Sequence, residues 1–150
     1  MYTLSASKKT TLLTELPRIY EENFVRLMRL IPALRDVHGD TTVLLDGSDQ
    51  LQLSILEQNR YTTLLTLEYC FSSDNQMLPN PEMKIRVYHD ARLAEVIRYQ
   101  QHSNIKASYP YPNLKMYQPL EKRQINLFFR DWLIHCTISK KTALPTASLL

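Results

Sequence analysis

The chain has 150 residues, 44% of them apolar and 22% charged, which suits one globular domain built around a single core. Its two glycines, Gly39 and Gly47, exclude glycine-rich phosphate loops and dinucleotide-binding turns, which need several glycines at fixed spacing. The net charge of +3 hides an asymmetry: residues 1–83 hold 7 Lys/Arg against 11 Asp/Glu (net −4), and residues 84–150 hold 11 against 4 (net +7).

Residues 1–13 read as a mobile arm, residues 14–138 as the domain and residues 139–150 as a tail. Over residues 16–34, Leu16, Ile19, Tyr20, Phe24, Leu27, Met28 and Ile31 recur at helical steps and predict an amphipathic helix. Pro17 fits its first turn and Pro32 its loosened end. From Thr41 the period becomes two. Strands are expected over residues 41–46, 51–55 and 61–71, the first pair joined by the turn residues Gly47-Ser48-Asp49. In the third strand Tyr61, Thr63, Leu65, Leu67, Tyr69 and Phe71 share a face.

After a polar, proline-containing loop, Met83, Ile85 and Val87 alternate with Lys84, Arg86 and Tyr88. His89-Asp90 reads as a hairpin corner leading into residues 92–99. That run contains good helix formers, but a strand gives its predecessor a partner across a short connection. Leu93, Glu95, Ile97 and Tyr99 are then expected on one face, with Ala94 and Val96 on the other. Residues 106–119 set Tyr109, Tyr111 and Tyr117 among prolines, a stiffened loop suited to recognition. Residues 119–136 form the clearest helix, with Ile125, Phe128, Phe129, Trp132, Leu133 and Cys136 on one side. The order predicts an α+β domain: a four- to five-stranded antiparallel sheet with an N-terminal and a C-terminal helix covering one face.

Cys70 and Cys136 lie far apart among apolar neighbours and read as buried, reduced thiols. The polar start lacks an apolar signal core, and no apolar run approaches ~20 residues, so a cytoplasmic location without membrane contact is expected. His38, His89, His102, His135 and the cysteines show no metal-ligand spacing, and no cofactor or catalytic residue is indicated. Tyr88, His89 and Asp90 with Glu95 offer acid–base or metal chemistry, although adjacent strand residues point to opposite faces. Arg86, Arg98, Lys106, Tyr109, Tyr111, Lys115, Tyr117, Lys122 and Arg123 interleave cations with aromatics, as binders of single-stranded nucleic acid do.

Arg60-Tyr61-Thr62-Thr63, Val87-Tyr88-His89-Asp90-Ala91, Ala94-Glu95-Val96 and Tyr109-Pro110-Tyr111-Pro112-Asn113 form a linked set of motifs. With Glu121-Lys122, Gln124-Ile125-Asn126 and Trp132-Leu133 they resemble the YqiB-like family of uncharacterised bacterial proteins. The resemblance covers residues 22–136. It implies a single cytoplasmic domain of bacterial type and brings no catalytic residue with it. Leu120 stands where the family pattern has an acidic residue.

The functional expectation is a small binding or regulatory module for an anionic partner: an acidic protein surface, a nucleotide or RNA. Arg86, Lys115 and Lys122 would supply charge, Tyr109, Tyr111 and Tyr117 contact area, and Asn113 and Asn126 orientation, beside the corner at Tyr88, His89 and Asp90. The alternatives are a small enzyme or metal binder using His89, Asp90 and Glu95, and a structural homodimer.

Overall fold

A computed structural model describes residues 6–72, 80–102 and 119–140. Helix α1 (Ala6–Leu30) leads through a short turn of 3-10 helix (Leu34–Asp36) into five strands: β1 (Asp40–Leu44), β2 (Gln50–Gln58), β3 (Thr62–Cys70), β4 (Asn80–Tyr88) and β5 (Leu93–His102). Helix α2 (Pro119–Ser139) follows. The strands form one antiparallel meander in the order β1-β2-β3-β4-β5, the α+β class expected from the periodicities.

The alternation of β3 decides which side is the core. Thr63, Leu65, Leu67 and Tyr69 are buried, while Thr62, Leu64, Thr66 and Glu68 look the other way. Register carries that sidedness across the sheet: Leu53 pairs with Leu67, Leu67 with Met83 and Leu65 with Ile85. Phe24, Leu27 and Leu30 of α1, with Phe129, Trp132 and Leu133 of α2, complete one cluster on that side. Each fully buried leucine contributes roughly 1.5–3 kcal/mol. Both helices therefore cover one face and leave the other open.

Helix α1 differs from its sequence reading at both ends. It begins at Ala6, so Pro17 lies inside it rather than in its first turn. The expected stretch to residue 34 is divided, because Ile31 precedes Pro32 and a residue before proline is disfavoured in helix. Leu34 falls instead in the separate 3-10 turn and is still buried. Lys140 Nζ donates to the Leu30 carbonyl at 2.8 Å, so a cation from beyond α2 caps the negative end of α1.

The face assignment of β5 also needs correction. Lys84 pairs with Arg98 but Ile85 pairs with Val96, so Ile97 is the extra residue of a β-bulge. The bulge puts Leu93 and Glu95 on the open face, while Tyr99 pairs with Met83 and packs against the core with Ala94 and Val96. A strict two-residue count cannot anticipate that slip. The Gly47-Ser48 turn between β1 and β2 is left-handed at both residues (φ 71° and 69°), which glycine adopts without strain.

Candidate functional site

The β5 edge of the sheet is where four elements meet around one carboxylate. Lys122, in the first turns of α2, donates to Glu95 Oε2 at 2.7 Å, and the Tyr88 hydroxyl donates to Oε1 at 3.4 Å. Tyr20 of α1 hydrogen-bonds the same carboxylate. Arg86 lies directly opposite Glu95 in the strand register. The Glu95 side chain is 18% exposed and Lys122 35%, so the pair is only partly shielded from water. Burial, then the Glu95 charge, pushes the Tyr20 phenol up to about 12. Tyr20 is thus a neutral donor over the physiological range, and the cluster acts as a clamp on a carboxylate rather than a source of nucleophile.

Helical spacing ties this clamp to the edge strand. Asn126 lies one turn after Lys122 and is fully buried. Its Oδ1 accepts the outward N–H of Val96 at 2.9 Å and its Nδ2 donates to the Lys122 carbonyl at 2.8 Å. Asn23 of α1 donates to the Asn126 carbonyl at 3.0 Å, and its own buried Oδ1 has no hydrogen-bond partner. Two buried asparagines therefore join α1, α2 and the β5 edge.

On the open face the side chains fall into rows set by the register. Glu68 lies opposite Glu82; the next row holds Thr66, Lys84 and Arg98; the one after holds Leu64, Arg86 and Glu95. Asn80 donates to Glu68 at 3.2 Å and Gln100 to Glu82 at 2.8 Å. Among the described residues no ion pair or side-chain hydrogen bond engages Lys84, Arg86 or Arg98. Like charges directly opposite each other repel, so Lys84 facing Arg98 is a local cost to folding.

His89 belongs to a different place. It follows β4 on the core side, 9% exposed, whereas Glu95 lies on the open face. Gln58 Nε2 donates toward the Arg35 and Val37 carbonyls, at 3.4 and 3.5 Å, and so presents its Oε1 to the Thr63 hydroxyl. Thr63 spends its one proton there, which leaves its oxygen to accept from His89 Nε2 at 2.7 Å. His89 thus carries its neutral-state proton on Nε2. Burial and then the Arg35 charge lower its pKa, with Asp90 opposing them. Among the described residues no three His, Cys, Asp or Glu side chains form a group able to hold a metal.

Of the expected site residues, Tyr88, Lys122 and Asn126 adjoin one another through Glu95 and β5, with Arg86 across from Glu95. His89 and the exposed Asp90 lie apart from that cluster. Tyr109, Tyr111, Asn113, Lys115 and Tyr117 fall outside the described residues. Sequence reasoning passed over Tyr20, Asn23 and Lys84: an amphipathic stripe does not show that Tyr20 and Asn23 have partners 75 and 103 residues away, and an alternating strand does not show which residue of the next strand Lys84 faces. It also missed the contact of Asp49, Tyr69 and His135. Tyr69 donates to Asp49 at 2.5 Å and lies 3.3 Å from His135 Nε2. Cys70 and Cys136 are free thiols, and burial raises both, Cys136 to about 12.

The family model described as Protein of unknown function (DUF1249) matches residues 26–142. The chain is 42% identical over 131 residues to the protein named "Uncharacterized protein YqiB" of Escherichia coli strain K12, covering 87% of this chain and 92% of that one. The same figures hold for the proteins of that name from the O6:H1 strain CFT073 and from O157:H7. No solved structure matches this chain. No helix among the described residues is long and apolar enough to cross a membrane. With a family match across most of the chain and relatives aligned over nearly their whole length, the protein belongs to the YqiB-like DUF1249 family.

Proposed function

We propose that this protein is a cytoplasmic binding module whose open sheet face takes an anionic partner over β4 and β5. The observation that carries the reading is the trio Lys84, Arg86 and Arg98, side by side on two strands and without an ion pair among the described residues. An anion placed there relieves the repulsion between Lys84 and Arg98 and gains charge-assisted hydrogen bonds. The clamp of Lys122, Tyr20 and Tyr88 holds Glu95 beside Arg86 and so fixes the border of the patch. The net +7 of residues 84–150 favours the same partner at longer range. Two free cysteines are in keeping with a reducing compartment.

The test is binding of labelled acidic peptide and of single-stranded RNA at low and high salt, by wild type and by the variant Lys84→Glu/Arg86→Glu/Arg98→Glu. Binding that weakens with salt and disappears in the variant is the expected result. Binding that survives the three reversals refutes the reading, as does the absence of binding to either probe.

A further inference from the structure

We infer that the anion this face takes is a phosphate monoester on a side chain of a partner protein, a phosphorylated serine or threonine in an extended segment. The inference rests on the reading that the open face binds an anionic partner, and it names the class. What carries it is the charge gathered at one point of the sheet. Thr66, Lys84 and Arg98 stand side by side on β3, β4 and β5. Directly opposite residues of antiparallel strands have Cβ atoms ~5 Å apart, so a hydroxyl, an ammonium and a guanidinium can close on one group. Among the described residues no ion pair or side-chain hydrogen bond engages any of the three. Glu68 and Glu82, one row beyond, are already engaged by other groups and keep their partners.

Two adjacent cations call for two negative charges. A carboxylate brings one charge and two oxygens, and leaves Lys84 and Arg98 half neutralised. A phosphate monoester brings close to two charges at neutral pH and three terminal oxygens. Those suffice for the Lys84 ammonium, the Thr66 hydroxyl and the Arg98 guanidinium, whose planar fork suits phosphate.

The positive spot does not extend into a track. The next row runs Glu57, Leu64, Arg86, Glu95, so Arg86 stands in a row with a carboxylate at either end. A nucleic-acid chain carries a singly charged diester at every nucleotide and needs cations along its length. The site is also open, with Thr66 and Lys84 half-buried and Arg98 exposed. Small-molecule sites are concave and enclose their ligand, whereas an exposed ion pair contributes only about two- to fivefold. The remaining affinity must come from a body that covers neighbouring rows. An extended segment does this, because its alternate side chains repeat at the ~7 Å step of the rows. An apolar residue two positions from the phosphorylated one then lies over Leu64, half-buried on the same face.

The experiment is an NMR titration of the whole protein with the peptide Thr-Leu-Thr-Ser-Thr-Leu-Thr, its serine phosphorylated, O-sulfated or replaced by glutamate. Uridine monophosphate, inorganic phosphate and a short oligouridylate are titrated alongside. At pH 7.5 the phosphorylated peptide should bind about three- to tenfold more tightly than the sulfated one, which has the same three oxygens and one charge less. The second phosphate proton binds with a pKa of about 6, so that preference should vanish at pH 5. The sulfated peptide keeps one charge at both pH values and so controls for changes in the protein. Lys84→Met/Arg98→Met should abolish the preference while leaving the fold at least as stable, since it removes a repulsion. Equal binding of the phosphorylated and sulfated peptides at pH 7.5 overturns the inference and leaves the anion reading standing. So does a preference that survives Lys84→Met/Arg98→Met, or binding of uridine monophosphate, inorganic phosphate or oligouridylate as tight as that of the phosphorylated peptide. No binding of any probe overturns both.

Discussion

At the scale of single residues, Glu95 is the point where tertiary contacts concentrate. Replacing it with glutamine keeps the shape and removes the charge that Lys122 and Tyr20 face. A charge-assisted hydrogen bond in a partly buried setting is worth ~1.5–3 kcal/mol. Glu95→Gln is therefore expected to lower unfolding free energy by about 1.5 kcal/mol in urea titration. A double-mutant cycle with Lys122→Met should show the coupling, and additivity within ~0.3 kcal/mol would mean that the pair does not interact.

Two titrations follow from the same environments. The Tyr20 phenol is raised from 10.0 to about 12 in the folded chain, so folding favours the protonated form. The stability this gives is complete below pH ~10 and is lost as pH rises toward the folded value. Tyr20→Phe should flatten that part of the alkaline stability profile. His89 shifts the other way, from 6.5 downward. Its contribution is present above the unfolded value and is lost as pH falls through the folded one. The Thr63 contact already uses Nε2–H, so acid adds a proton at Nδ1 without breaking that bond, against the charge of Arg35. The expected outcome is a lower urea midpoint at pH 5 than at pH 7.5, with the difference reduced in His89→Gln.

At the scale of elements, Asn126 closes an edge that the sheet leaves open. The Val96 N–H faces away from β4 and has the Asn126 side chain as its acceptor. Asn126→Ala leaves a buried donor unsatisfied and should cost about 2–3 kcal/mol, more than a surface change on the same helix. Pro17 offers the opposite case. It lies inside α1 and cannot donate to the preceding turn. Pro17→Ala should raise the thermal midpoint, and a fall would mean that the proline supports a bend the packing needs. The helix itself was legible from its apolar stripe, but its start ten residues upstream of Leu16 was not. Proline in a sequence signals a first turn more often than an interior, and only packing decides between them. The bulge at Ile97 is similar: alternation locates the strand, whereas the two-against-one pairing with β4 depends on the partner's register.

At the scale of the whole molecule, the charge skew between the two halves of the chain resolves into rows on one face. The acidic row of Glu68 and Glu82 and the basic row of Lys84 and Arg98 draw on three strands, and neither is a run in the sequence. Exposed charges this close are screened by salt, so binding through them should weaken between 50 mM and 500 mM salt while the folded state changes little. Periodicity, glycine content and turn chemistry by themselves determined the class, an antiparallel sheet of four or five strands and the two covering helices. Each is a local pattern that a stretch of some ten residues carries whole, and so was the family resemblance of the linked motifs. Only the tertiary structure decided that Glu95 gathers Tyr20, Tyr88 and Lys122, that His89 turns inward to Thr63, and that Lys84 stands against Arg98. Those facts depend on register and helix docking, which are set by burying one shared core and are encoded in no single segment.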